Sequence, residues 1–171
     1  HPDKEDEHIR LAQACGFTAV IGYAAAAADG VHRGGSMVML NEQDTQPKRT
    51  HFKEGSITRV SLEWQGREYD IASIYAPSDS SKRIDFFSHL AQRLTKHTIA
   101  GGDWNCVTDV TLDVKSRNPL TYSNIGAGQL VKVCEKFNIY DYRRDQLGTS
   151  FEATRTGSTA TGVTATRLDR W

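Results

Sequence analysis

Apolar residues recur at two periods along this chain, one helical and one extended, and the two are interspersed. Ile9, Leu11 and Ala12 form a stripe within Pro2–Cys15. Asp3, Glu5 and Asp6 suit the first turn of a helix there, and Gly16 suits its end. Phe17–Tyr23 and Ser36–Leu40 are short apolar runs that predict strands, separated by the small-residue loop Ala24–Gly35. Asn41–Gly55 is polar and predicts a loop. Ile57–Trp64 and Arg67–Tyr75 predict a hairpin turning at Gln65-Gly66, with Ile71, Ser73 and Tyr75 on one face and Pro77 ending the second strand.

The helical period returns over Ser80–Leu94 through Ile84, Phe87, Leu90, Ala91 and Leu94, with Ser80 or Ser81 as the cap. A strand follows over Lys96–Asn105, then a polar loop through Asp109, Asp113, Asn118 and Pro119. Gly126–Phe137 is amphipathic through Leu130, Val133, Cys134 and Phe137, and Ile139–Arg144 is a short apolar-basic segment. Thr149–Thr154 and Thr164–Trp171 predict two strands joined by a Gly/Ser/Thr loop. Strands dominate without strict alternation with helices, which predicts an α+β fold: a two-sheet β-sandwich flanked by helices.

At 171 residues the chain is read as a single domain, long enough for a substantial core. Lys+Arg and Asp+Glu balance at 21 each, which weighs against a passive nucleic-acid binder but less against an enzyme that touches nucleic acid at one site. No apolar run approaches membrane-spanning length, so no membrane partner is expected. Cys15, Cys106 and Cys134 form no zinc or disulfide pattern, which fits a reducing intracellular setting. None of the six histidines has a metal-binding partner at helical spacing.

The densest chemistry lies in Ile99-Ala-Gly-Gly-Asp103-Trp-Asn105-Cys-Val107. On a strand, Asp103 and Asn105 would share a face, and a carboxylate beside an amide can bind a hard cation and hydrogen-bond a phosphate oxygen. Gly, Asp and Asn are also ordinary turn formers, so the stretch alone leaves both readings open.

Three stretches in order shift that balance: Ile74-Tyr75-Ala76-Pro77, Gly101-Gly102-Asp103-Trp104-Asn105 and Thr166-Arg167-Leu168-Asp169-Arg170. Together they resemble the endonuclease/exonuclease/phosphatase superfamily, and most of all the apurinic-endonuclease-like domain of non-LTR (LINE-type) retrotransposon polyproteins. Gly34–Leu40, Glu54-Gly55-Ser56 and Leu112-Asp113 add weaker echoes. Trp104 stands where that family usually has Phe, and Ser78 where many relatives have Asn.

The resemblance implies a deoxyribonuclease I-like four-layer sandwich, and a chain truncated at both ends. His1 is similar to the His that follows the family's metal-binding Glu, and the chain stops before the family's catalytic His. The fragment is therefore expected to be inactive and prone to aggregate. For the parent protein the resemblance implies Mg2+-dependent DNA nicking, with Mn2+ as an alternative ion. DNA would be its substrate, a reverse transcriptase domain its neighbour in the same polyprotein, and its setting intracellular with access to the nucleus.

Asp103 would position the attacking water and, with Asn105, hold the metal; Asn105 and Tyr75 would also reach the scissile phosphate; Asp169 would orient the absent His. The other reading of Tyr75 is a half-buried strand-end aromatic, and that of Asp169 a surface partner of Arg167 or Arg170. Asn118, Ser78, Arg143 and Arg144 are candidate substrate contacts; Asn118 also suits a turn before proline, and the two arginines a solvated surface. Alternative activities are those of an exonuclease, an abasic-site endonuclease or a phosphoester phosphatase. A decayed, non-catalytic nucleic-acid-binding module is the rival from outside enzymology.

Overall fold

The computed structural model describes residues 4–23, 34–41, 47–116, 122–159 and 162–170, which leaves Asn118 outside the described residues. The chain groups into two compact units, His1–Tyr75 with His97–Gly101, and Ala76–Lys96 with Gly102–Trp171.

In the first unit, α1 (Glu5–Ala14) carries Glu5, Asp6 and Glu7 in its first turn, where acids oppose the helix dipole, and Gly16 leaves it at φ 81°. Strands β1 (Phe17–Tyr23) and β2 (Gly35–Asn41) pair antiparallel with Val20 opposite Val38. The alternation of β1 splits its side chains between two cores. Ala19 and Ile21, with Phe17 and Tyr23, pack on Ile9 and Ala12 of α1. Val20 joins Val38 and Leu40 against Val60, Leu62, Tyr69 and Ile71.

The last four belong to the hairpin β4 (Ile57–Trp64) and β5 (Arg67–Tyr75). Gln65 and Gly66 both take positive φ at its turn, as the right-handed twist of a tight hairpin requires. The polar stretch expected to be a loop contains a further strand, β3 (Pro47–Glu54), antiparallel to β4. Its sequence lacks the apolar alternation of a half-buried strand because it lies at a sheet edge. There a leading proline, interrupted register and charge are tolerated, and Lys48 pairs across to Glu63. The start of β6 (Thr98–Asp103) lies beside β5.

In the second unit a 3-10 turn at Ser80–Lys82 leads into α2 (Arg83–Leu90). The cap is Asp79 rather than a serine: its carboxylate accepts the Ser81 N–H at 3.0 Å and the Ser81 hydroxyl at 2.8 Å. α2 packs on α4 (Ala127–Phe137), and Phe87, Leu90, Leu130 and Val133 are buried. Burying each such side chain is worth about 1.5–3 kcal/mol. Gly126 permits that approach, since a methyl group on it would lie 2.8 Å from Arg83 Cβ.

A second cluster joins Val107, Val114 and Leu168 with Val110 and Tyr122. Around it run α3 (Val110–Asp113), β7 (Val114–Lys115) and α5 (Tyr142–Leu147). The Gly/Ser/Thr stretch expected as a loop is itself a hairpin of β8 (Arg155–Thr159) and β9 (Gly162–Thr166), with β7 on the far side of β9. Finally β10 (Asp169–Arg170) pairs antiparallel with the end of β6. The architecture is α+β, and no helix among the described residues is long and apolar enough to cross a membrane.

Candidate active site

The end of β6 organises the candidate site. The strand stops at Asp103, short of Asn105, so the two do not share a strand face. Asn105 instead takes φ 46°, a left-handed conformation that Asn tolerates better than most residues. In that turn its backbone N–H donates to Asp103 Oδ1 at 2.8 Å, an Asx-type bond. Its buried side chain donates from Nδ2 to the Ala76 carbonyl at 2.8 Å. The Ala76 N–H in turn donates to the Asp103 carbonyl at 2.8 Å. The Ala-Pro segment and the Gly-Gly-Asp-Trp-Asn segment are thus clamped by bonds on both sides of Ala76.

The Arg-Leu-Asp segment joins them through the sheet. Asp169 lies directly opposite Asp103 in the β10–β6 register, and the Trp104 N–H donates to the Leu168 carbonyl at 3.0 Å. Cross-strand partners project from the same face, so two carboxylates are set side by side. Burial pushes the Asp103 carboxyl above the usual carboxylate range, and the charge of Asp169 adds to the rise. The Asn105 N–H, Arg155 and Arg83 oppose it.

Arg167 does not pair with Asp169. It is buried, its Nε donating to Asp113 Oδ1 at 2.9 Å and its Nη2 to Asp141 Oδ2 at 2.7 Å. Burial works against its charge, and the two carboxylates more than compensate, raising its pKa. Asp113 also receives Arg144, whose Nη1 and Nη2 donate to the carbonyls of Gly148, Ser150 and Leu112. Asp141 doubles as the cap of α5 through the Arg144 N–H. The Thr154 hydroxyl oxygen accepts the N–H groups of Leu168 and Asp169 at 2.9 and 3.2 Å. This scaffold sets the backbone from which Asp169 projects.

Among the other sequence candidates, Arg143 is exposed and forks onto Glu152 Oε2 with bonds of 2.9 and 2.6 Å. Ser78 is exposed, and its carbonyl accepts Arg83 Nη2 at 2.9 Å. Tyr75 belongs to the first unit, half-buried at the end of β5 with its N–H on the Ser56 carbonyl at 2.9 Å. Its ring lies against Gly34, where an added methyl would come within 2.6 Å of Cε1. Arg83 and Arg155, which act on Asp103, carried no signal in the sequence: both stand in stretches read for other features.

Among the described residues no three His, Cys, Asp or Glu side chains converge as a ready-made metal cage. Asp103 and Asp169 nevertheless fit a hard cation of the Mg2+ type. Such an ion takes one or two carboxylates and keeps several waters, and this pair carries like charge that a cation would neutralise. The Asn105 amide is committed to Ala76 through Nδ2, so among the sequence-predicted ligands Asp103 is the better placed.

No protein-family model matches the sequence, and no curated protein matches it significantly. Solved structures do match. The endonuclease domain of TRAS1, a telomere-specific non-LTR retrotransposon, superposes with a TM-score of 0.57 at 14% identity, covering 89% of this chain and 65% of that one. D. rerio TDP2 complexed with a single-strand DNA product superposes with a TM-score of 0.52 at 12% identity, covering 96% of this chain and 64% of that one. The chain thus spans just under two thirds of the solved chains it matches. At such low identity the likeness establishes the fold alone, and that fold is the deoxyribonuclease I-like one.

Proposed function

We propose that this chain is part of a divalent-metal-dependent phosphodiesterase, an endonuclease that nicks DNA for a non-LTR retrotransposon. The observation that carries the reading is the pairing of Asp103 with Asp169 across β6 and β10, with Asn105 clamped to Ala76 beside them. A fold likeness to a retrotransposon endonuclease domain and to TDP2 complexed with a single-strand DNA product supports it. By this reading DNA is the substrate, and a reverse transcriptase domain accompanies the chain in its polyprotein.

A bound Mg2+, held by Asp103 with help from Asp169, would supply a Lewis acid for a phosphoryl oxygen and lower the pKa of a water. The chain's own residues do the rest. Asp103, half-buried at the end of β6, positions the attacking water. Asn105, fixed by two hydrogen bonds, pins the Asp103 carboxylate from one side and the Ala-Pro segment from the other. Asp169, opposite Asp103, orients a basic group delivered from outside the described residues.

Plasmid nicking with Mg2+ tests the reading, using the chain within its full reading frame beside an Asp103→Ala twin. Relaxation of supercoiled plasmid that the twin loses by a factor of about 100 or more is expected. A folded protein that leaves the plasmid intact yet hydrolyses phosphomonoesters would replace the nuclease reading with a phosphatase one.

A further inference from the structure

Asn124 belongs to none of the three motifs, yet its side chain reaches the turn on which the site stands. It lies two residues before Gly126, on the segment that leads into α4. Its Oδ1 accepts the Val107 N–H at 3.2 Å and the Cys106 thiol at 3.5 Å. Cys106 and Val107 are wholly buried and follow Asn105 directly. The thiol's other acceptors, the Val107 and Ile125 carbonyls, are both 3.9 Å away. Thiols are weak donors, so the backbone N–H is the larger part of the anchor. A buried N–H without an acceptor is costly, and no second acceptor for Val107 occurs among the described residues.

The anchor bears on the site through Asn105. Its φ of 46° is strained for a non-glycine residue and persists only where the chain is fixed on both sides. The β6–β10 ladder fixes it before the turn, and Asn124 fixes it after. The Asn105 N–H rests on Asp103 Oδ1, so a backbone shift at Val107 would turn that N–H away and release the carboxylate. The far end of the anchor is itself held. The Asn124 carbonyl accepts the Ala127 N–H at 3.2 Å, and Gly126, at φ 97°, has no room for a methyl group beside Arg83 and Phe87. The entry of α4 thus sets Asn124, and Asn124 sets the turn.

We infer that Asn124 is a positioning residue: acting through Val107 rather than on substrate, it fixes the Asp103–Asn105 turn in the geometry that presents Asp103 to the attacking water. The inference rests on the proposed nuclease reading, and two readouts keep the two apart.

The first is plasmid nicking with Mg2+ by the chain within its full reading frame. Asn124→Leu removes the acceptor at similar volume and should lower kcat about 10- to 100-fold, with KM within about threefold of wild type. Asn124→Asp keeps an oxygen at the same reach and should recover most of that loss. The second readout needs no catalysis: alkylation of the cysteines by iodoacetamide, followed by peptide mass spectrometry. Asn124→Leu should speed labelling of Cys106 about tenfold, while Cys134, on α4, labels at the wild-type rate. If Cys134 labelling rises as well, the Leu variant is unfolded, and Asn124→Ser, too short to reach Val107, takes its place with the same expectations. Unchanged Cys106 labelling would overturn the anchor. Wild-type kcat in a variant whose Cys106 has become reactive, or no recovery in Asn124→Asp, would overturn the positioning role while leaving the nuclease reading intact. A wild type that leaves the plasmid intact would overturn the nuclease reading and the positioning role with it.

Discussion

Two buried arginines in the second unit differ in their hydrogen-bond partners, carboxylates for Arg167 and backbone carbonyls for Arg83. Arg167 is enclosed by Asp113 and Asp141, and Arg144 reaches the same Asp113. That network ties the segment before Asp169 to α3 and α5, and every charge in it has an opposite neighbour. Around Asp103 the arrangement is reversed. Asp103 faces Asp169, a like charge, across the sheet, while Arg83 and Arg155 oppose that repulsion without an ion pair among the described residues. The first region spends its charges on the fold. The second sets like charges face to face, an arrangement that costs stability.

The contrast can be broken most severely at Asp113. Asp113→Ala leaves Arg167 with one carboxylate partner and takes from Arg144 its carboxylate, and should cost about 3–5 kcal/mol. Urea unfolding followed by circular dichroism would show it as a fall in the midpoint, and a change below 1 kcal/mol would remove the network's structural role.

Asn105→Ala comes next. It deletes the bond to the Ala76 carbonyl and places Ala at φ 46°, for a loss of about 1–3 kcal/mol. Asn105→Gly should recover part of that loss, because glycine accepts the backbone angle but not the bond. Equal destabilisation by both would show that the angle contributes nothing.

At Asp103 the expected sign is the opposite. Asp103→Asn keeps an acceptor for the Asn105 N–H and removes the like charge facing Asp169. The variant should be about 0.2–1 kcal/mol more stable than wild type in EDTA. A less stable variant would mean that the two carboxylates do not repel, and the comparison would lose its second half.

The smallest effect belongs to Arg143→Ala, which breaks an exposed pair with Glu152 and should shift stability by a few tenths of a kcal/mol. A shift near that of Asp113→Ala would show that exposure does not separate functional from structural arginines here.

Local patterning carried much of the fold. Where apolar residues alternated, the hairpin Ile57–Trp64 and Arg67–Tyr75 formed with the boundaries its sequence predicts, because period and turn chemistry act over a few residues. The segment Gly126–Phe137 likewise became a helix from Ala127 onward. Where local signals are weak, the reading failed. The β3 sequence shows no apolar alternation, and the β8–β9 hairpin is mostly Gly, Ser and Thr, so ladder bonds with neighbouring strands decide both.

The candidate site divides the same way. The order of the Tyr-Ala-Pro, Gly-Gly-Asp-Trp-Asn and Arg-Leu-Asp stretches is legible in the chain, and with it the choice of Asp103, Asn105 and Asp169. What each side chain touches was decided in three dimensions. Asn105 reaches Ala76 across 29 residues and Arg167 reaches Asp113 across 54. A sequence determines which charges exist, but their partners are set by distances that close only once strands and helices have packed.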